Sequence, residues 1–296
     1  MTLCVSMNGT CGNATLWDHS RAQVHARFPE GGSGGAGGRL IHGEKCCVAT
    51  LVKSTFLAED TWVVNLHLVH NRQGERIEQL KKVLGWLNDR VALTPRAVLL
   101  CGDFNVNYGT REYNRLRQML GRDGYSRLDF DSTVRTGACP ITFPSKQTSI
   151  DFAFVRDIGG TVTCFDNQRL SDHNGLRITL DGGLIVLCFN AHFGTDAHEE
   201  AQDAAAYARL IDTSGASVVC MQEIDATIGN RTTSTYGGTQ ADEMRRLLAA
   251  PGPWHSQYFG ARPMNLPRKG KTCGYASKWG SQGGGGGGGA GAAGAT

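Results

Sequence analysis

The stretch "VLLCGDFNVN", Val98 to Asn107, decides how the rest of the chain is read. Val98, Leu99, Leu100 and Cys101 form an unbroken apolar run, the pattern of a strand covered on both faces. Gly102 interrupts it, and Asp103 and Asn105 follow. On an extended chain these two side chains point the same way. Asp, Asn and Gly are common turn formers, so the segment also reads as a simple turn. The competing reading is a ligand pair at the carboxyl end of a strand, where α/β proteins often place their chemistry.

Upstream, "TWVVNLHLVHN" (61–71) is a strand that turns polar at His67. A helix follows from about Glu75 to Leu87, with Ile77, Leu80, Leu84 and Leu87 at helical spacing. Arg76, Gln79, Lys81 and Lys82 read as its solvated face. Strand, helix, strand in that order favours an α/β layered core. Downstream, a second helix spans about Arg111 to Met119. "SIDFAFV" (149–155) is a strand with Asp151 near its start. Asp172 and His173 directly precede another strand, with Leu176, Ile178 and Leu180 on one face.

"DGG" (181–183) signals a hairpin into "LIVLCFN", which ends at Asn190. Asp196 and Glu199 are spaced as a capping box for a helix from about Ala197. "ASVVCMQE" is a strand ending at Glu223, and "GTQADEMRRLLAA" contains a last helix. Polar residues of one kind therefore recur at strand ends: His67, Asp103 with Asn105, Asp172 with His173, Asn190 and Glu223. Asp151 opens a sixth strand. Singly, each is a cap or a turn. Together they describe one rim for a hard cation and phosphate oxygens, and Asp, Glu and Asn oxygens suit Mg²⁺ or Mn²⁺.

Composition sets the remaining bounds. With 296 residues, 40% of them hydrophobic, the chain can bury a substantial core. A net charge of +3 neither demands nor excludes a phosphate-bearing partner. Of the ten cysteines, Cys101, Cys188 and Cys220 lie inside apolar runs, where a thiol behaves as a small hydrophobe. No CxxC pair supports a zinc site. A reducing, cytoplasmic setting is expected, with no 18-residue apolar span and no secretory leader. Asn8, Asn13 and Asn230 head N-x-[ST] sequences that, without a leader, are chance matches. "GGSGGAGG" (31–38) reads as a flexible insertion and 283–296 as a disordered Gly/Ala tail.

The segments "VVNLHL", "CGDFNVN", "SIDFAFV", "LSDHNGL", "LIVLCFNAHFG" and "VVCMQEID", with "TCGNATL" (10–16), resemble the endonuclease/exonuclease/phosphatase superfamily of metal-dependent phosphoester hydrolases. The resemblance implies a four-layer α/β sandwich, two packed mixed β-sheets flanked by helices. The motif order differs from the family's, in which the Asn and QE strands come first. Here the chain begins at the GN segment, so the fold is expected to be circularly permuted. Residues 1–182 would be the rear part of the phosphoesterase domain and 183–282 its front part. "TCGNATLW" (10–17) and "TCGYASKW" (272–279) duplicate the GN segment, as in a slice through a tandem array. Whether the halves pair within one chain or by domain swapping between chains stays open.

The resemblance also assigns roles. Glu223 would be the principal metal ligand, helped by Asn190, with Asp172 a further metal-site acid. Asp103 would act as general base on the attacking water, and Asn105 would hold a phosphate oxygen. His173 would donate to the phosphoryl group, oriented by Asp151, and His67 would stabilise the same oxygens from the other side. Asn13 and Arg231 are candidate substrate contacts; His192 reads as structural. The reaction expected is Mg²⁺- or Mn²⁺-dependent hydrolysis of a phosphodiester. His67, at a point where abasic-site branches carry Tyr, favours nuclease-like or sphingomyelinase-like substrates. A non-catalytic remnant is the rival reading. No stretch interleaves arginines with aromatics as a nucleic-acid-binding segment does.

Overall fold

The structure, a computed structural model, describes residues 11–28, 46–70, 72–93, 96–128, 141–167, 170–192, 204–225, 240–248 and 254–260. The glycine-rich insertion, the expected helix start near Ala197, Arg231, the second GN-like segment and the tail lie outside the described residues.

Twelve strands form two six-stranded sheets among the described residues. The first sheet contains β1 (Cys11–Asp18), β8 (Gly160–Phe165), β9 (Gly175–Leu180), β10 (Ile185–Asn190), β11 (Val218–Asp225) and β12 (Trp254–Gly260), in the order β12-β1-β11-β10-β9-β8. The second contains β2 (Gln23–Phe28), β3 (Cys46–Lys53), β4 (Thr61–His67), β5 (Ala97–Asp103), β6 (Ser126–Arg127) and β7 (Asp151–Arg156), in the order β2-β3-β4-β5-β7-β6. Each sheet has one parallel pair, β10 with β11 and β4 with β5, and both are central. Strand β1, from the first half of the chain, sits between β11 and β12 of the second half. The two halves therefore share one sheet.

Alternation sorts every strand between two environments. Val98 and Leu100 of β5 face helices α1 (Gln73–Leu93) and α2 (Arg111–Arg122), together with Val64 and Leu66 of β4 and Phe152 and Phe154 of β7. On the opposite face, Leu99 and Cys101 meet Val186, Cys188, Val218 and Cys220 of the other sheet. Leu187, Phe189, Val219 and Met221 pack outward against α3 (Ala204–Ser214), with Met244 of α4 (Gln240–Leu247). Each fully buried aliphatic or aromatic side chain contributes about 1.5–3 kcal/mol. The result is a four-layer α/β/β/α sandwich, as the motifs imply.

Two sequence expectations need correction. Helix α1 runs on to Leu93 rather than stopping at Leu87, because the apolar spacing marks only the face that packs. Arg76 and Gln79 are buried, not solvated. Arg76 makes a two-pronged ion pair with Glu112 of α2 (2.9 and 2.6 Å) and donates to the carbonyls of Val69 and His70, while Gln79 Oε1 accepts the Val69 N–H. Their polar heads thus hold the chain just after His67. Strands β2, β3, β8 and β12 were not marked by any motif and complete the sheets. Cys47, Cys101, Cys164, Cys188 and Cys220 are free thiols. No helix among the described residues is long and apolar enough to cross a membrane.

Candidate active site

Gly102 explains how a core strand ends in chemistry. Its φ is +144°, and a Cβ there would collide with the carbonyl of Leu66 in the neighbouring strand. Only glycine lets β5 lie this close to β4 at that point. The closeness puts His67, Asp103 and Asp151 side by side, because the strand registers pair His67 with Asp103 and Asp103 with Asp151. All three are on the face turned toward the first sheet.

The chain turns immediately after. Asn105 has φ +54°, and its N–H donates to Asp103 Oδ1 at 2.8 Å. The turn reading of "GDFN" therefore holds: Asp103 closes the turn with one oxygen, while its other oxygen faces the polar residues gathered at the strand ends. The expectation that Asp103 and Asn105 point together along an extended strand is corrected by this left-handed residue. The Asn105 carboxamide instead donates to Leu68 O at 2.8 Å.

Asp103 Oδ2 is the hub. Asn190 Nδ2 donates to it at 3.1 Å, His67 Nε2 lies 3.4 Å away, and His173 Nε2 lies 3.9 Å away. His67 Nε2 is also 3.4 Å from Glu223 Oε1, so one imidazole spans the carboxylates of both sheets. Glu223 reaches this position through a bulge. Gln222 and Glu223 together oppose Asn13, where the β1–β11 register shifts, and Glu223 has φ +54°. Without the extra residue, alternation would turn Glu223 toward the helices.

His173 comes from the other side. Its Nδ1 is 3.0 Å from Asp151 Oδ2. Ser171 holds the loop, its hydroxyl donating to Asn190 O (2.7 Å) and accepting the His173 N–H (3.1 Å). Burial alone would pull the His173 pKa down. The Asp151 carboxylate, by charge and by hydrogen bond, and then Asp103 and Asp172 outweigh that and push it up to about 10. The surrounding carboxylates thus favour the protonated ring. Oxygen and nitrogen atoms of Asp103, Asp151 and His173 lie within 4.8 Å of one another, close enough to bracket an ion.

Asp172 is half-buried, its Oδ1 lying 3.9 Å from His173 Nε2 and 3.7 Å from His192 Nδ1. His192 was read as structural, but it sits at the rim, with φ +43° and its N–H given to Asn190 Oδ1 at 2.9 Å. Three of the five described non-glycine residues with positive φ, Asn105, His192 and Glu223, are thus at this one place. Strain of this kind, about 1–3 kcal/mol each, concentrates at functional sites. Asn13 is set apart. It is completely buried, and its Nδ2 faces Asn65 Oδ1 at 3.4 Å.

Asn65 and Gln222 were not singled out from the sequence. Asn65 Nδ2 donates across the sandwich to Ala14 O and Met221 O, and Gln222 Nε2 donates to Asn65 Oδ1 at 2.6 Å. This amide network lies between the sheets, close behind Glu223. Phe143, whose ring lies 4.8 Å from that of His173, was also missed. So was Thr142, whose hydroxyl accepts the N–H groups of Ile150 and Asp151. Neither carries a charge that would draw notice in a sequence.

Comparison with known proteins identifies the family. The model of the Endonuclease/Exonuclease/phosphatase family matches residues 6–173, more than half of the chain. Among solved structures, a mannosyl-6-phosphatase of Bacteroides thetaiotaomicron is similar over 54% of this chain and 67% of its own, with 15% identity and a TM-score of 0.40. An endonuclease/exonuclease/phosphatase of Bacteroides vulgatus is similar over 54% and 66%, with 16% identity and a TM-score of 0.39. The chain spans about two thirds of the length of these structures. No curated protein sequence matches. With more than half of its length matched, from the GN segment to His173, the chain belongs to the endonuclease/exonuclease/phosphatase family.

Proposed function

We propose that this chain hydrolyses phosphodiester bonds with the help of a divalent cation. The observation that carries the reading is the position of Asp103 Oδ2, held by Asn190 and facing both His67 and His173. A carboxylate so placed takes the proton of a water attacking phosphorus. The imidazolium of His173 donates to the phosphoryl oxygens as their charge grows, and Asp151 keeps its ring turned correctly. His67 faces the same oxygens from the Glu223 side, and Asn105 lies at the turn beside them.

Glu223 is the natural principal ligand for the cation, with Asn190 and Asp172 completing an oxygen donor set. Two carboxylates and a carboxamide oxygen, with imidazoles as neighbours, suit a hard ion, so Mg²⁺ or Mn²⁺ fits these residues. Once bound, such an ion supplies positive charge to the phosphoryl oxygens and the leaving group. The circularly permuted order belongs to the same proposal. It is supported by a family match that stops at His173 while Asn190 and Glu223 enter the rim from later strands. The tight turn from Leu180 to Leu184 joins β9 to β10, which is where the break in the family order would be closed.

The test is hydrolysis of bis-p-nitrophenyl phosphate, with and without Mg²⁺ or Mn²⁺, by the wild type and His173→Ala. Metal-dependent turnover that disappears in the variant is expected. No turnover from folded protein would replace this reading with that of a non-catalytic remnant.

A further inference from the structure

The sequence has no segment in which arginines alternate with aromatics, but the fold assembles such a surface from three separate segments beside His173. Tyr108 is 42% exposed, and the guanidinium of Arg127 lies over its ring at 5.2 Å. The Phe143 ring lies tilted against that of His173, and the Lys146 ammonium is 5.1 Å from its centre. The two ring–cation pairs belong to one unit. Tyr108 N–H bonds to Ser149 O, and Phe143 pairs with Thr148 in a narrow loop. Helix α2 begins three residues beyond Tyr108 and exposes Arg111, Arg115, Arg117 and Arg122. Its one acid, Glu112, is buried against Arg76. Among acids nearby, Glu78 of α1 lies beside Arg115.

We propose that this surface binds single-stranded nucleic acid, stacking unpaired bases on Tyr108 and Phe143 and leading the backbone along α2. The inference rests on the phosphodiesterase reading and names its substrate. Tyr108 is exposed and Phe143 half-buried; rings open to solvent and flanked by cations are how proteins hold unpaired bases and their phosphates together. A base within a duplex has no free face for Tyr108. A phosphocholine headgroup is disfavoured, because aromatic rings that already carry a guanidinium or an ammonium repel a second, quaternary cation. A run of like-charged side chains on one helix fits a polyanion better than a single phosphate.

The experiment is fluorescence anisotropy of a labelled oligo-dT in EDTA, against the same oligonucleotide in a duplex and against sphingomyelin vesicles. The full chain is used, with bis-p-nitrophenyl phosphate hydrolysis measured in parallel. The single strand should bind at least tenfold more tightly than the duplex. Tyr108→Ala, at an exposed position, should weaken it about tenfold. The pair Arg111→Gln with Arg115→Gln should flatten the dependence of log Kd on log salt by about 1.4. Equal binding of strand and duplex, preference for the vesicles, or indifference to Tyr108→Ala overturns the inference while leaving the phosphodiesterase reading in place. Failure to hydrolyse the small diester overturns that reading, and the binding data still decide whether this surface takes nucleic acid.

Discussion

Asn190 Nδ2 donates to Asp103 Oδ2 at 3.1 Å, joining the ends of two strands that belong to different sheets and lie 87 residues apart. The bond does two things at once. It pins the sandwich closed at its polar end, and it orients the carboxylate proposed to accept the proton from water. A hydrogen bond to a buried charge is worth about 1.5–3 kcal/mol. Asn190→Ala is therefore expected to lower unfolding free energy by about that amount in urea denaturation. Asn190→Asp places a second carboxylate against Asp103 and should move the acidic limb of the pH–rate profile upward.

Replacing Asp103 itself separates chemistry from fold. Asp103→Asn keeps the shape of the side chain and removes the base. Turnover of bis-p-nitrophenyl phosphate should fall by about 10²–10⁴, with circular dichroism unchanged. A variant that kept full metal-dependent activity would remove Asp103 from the mechanism.

His173 offers a pH test in the metal-free protein. Its folded pKa, near 10, is above the ordinary 6.5 of an unfolded chain. The protonated ring is favoured in the fold, so its contribution is complete below about pH 6.5 and is lost as pH rises through about 10. Unfolding free energy should therefore decline across that window, and NMR of the ring should show the proton retained at pH 8. Asp151→Asn should bring the titration down and shrink the decline.

Gly102→Ala tests the close approach of β4 and β5. A methyl group there meets the Leu66 backbone, which cannot step aside as a side chain can, at a φ that L residues avoid. A loss of about 2–4 kcal/mol is expected, with a lower Tm. An alanine variant of wild-type stability would mean that the two strands are not held as closely as described.

Much of the architecture was legible in the chain itself. The apolar runs at 61–67, 98–101 and 185–189 are strands because alternation and burial leave them no other use, and the "DGG" turn at 181–183 follows from two glycines with positive φ. The site was less legible. Asn65 and Gln222 look like ordinary polar residues within strands until the second sheet is laid across the first. Asn13, expected at the substrate, is wholly buried and faces Asn65 between the sheets, opposite the bulge at Gln222 and Glu223. Its strand is flanked on both sides, which no local pattern announces.

The sequence by itself determined the residue types at strand ends, the layering of strands and helices, and the family to which the motifs point, because these depend on local spacing and on the chemistry of each side chain. Tertiary structure alone decided which of those ends meet. The bulge at Gln222 and Glu223 turns a carboxylate inward, the left-handed turn at Asn105 divides the two oxygens of Asp103 between fold and site, and three distant segments bring Tyr108, Arg127, Phe143 and Lys146 into one surface. Such meetings depend on contacts between residues far apart in the chain, and spacing along a single strand or helix carries no information about them.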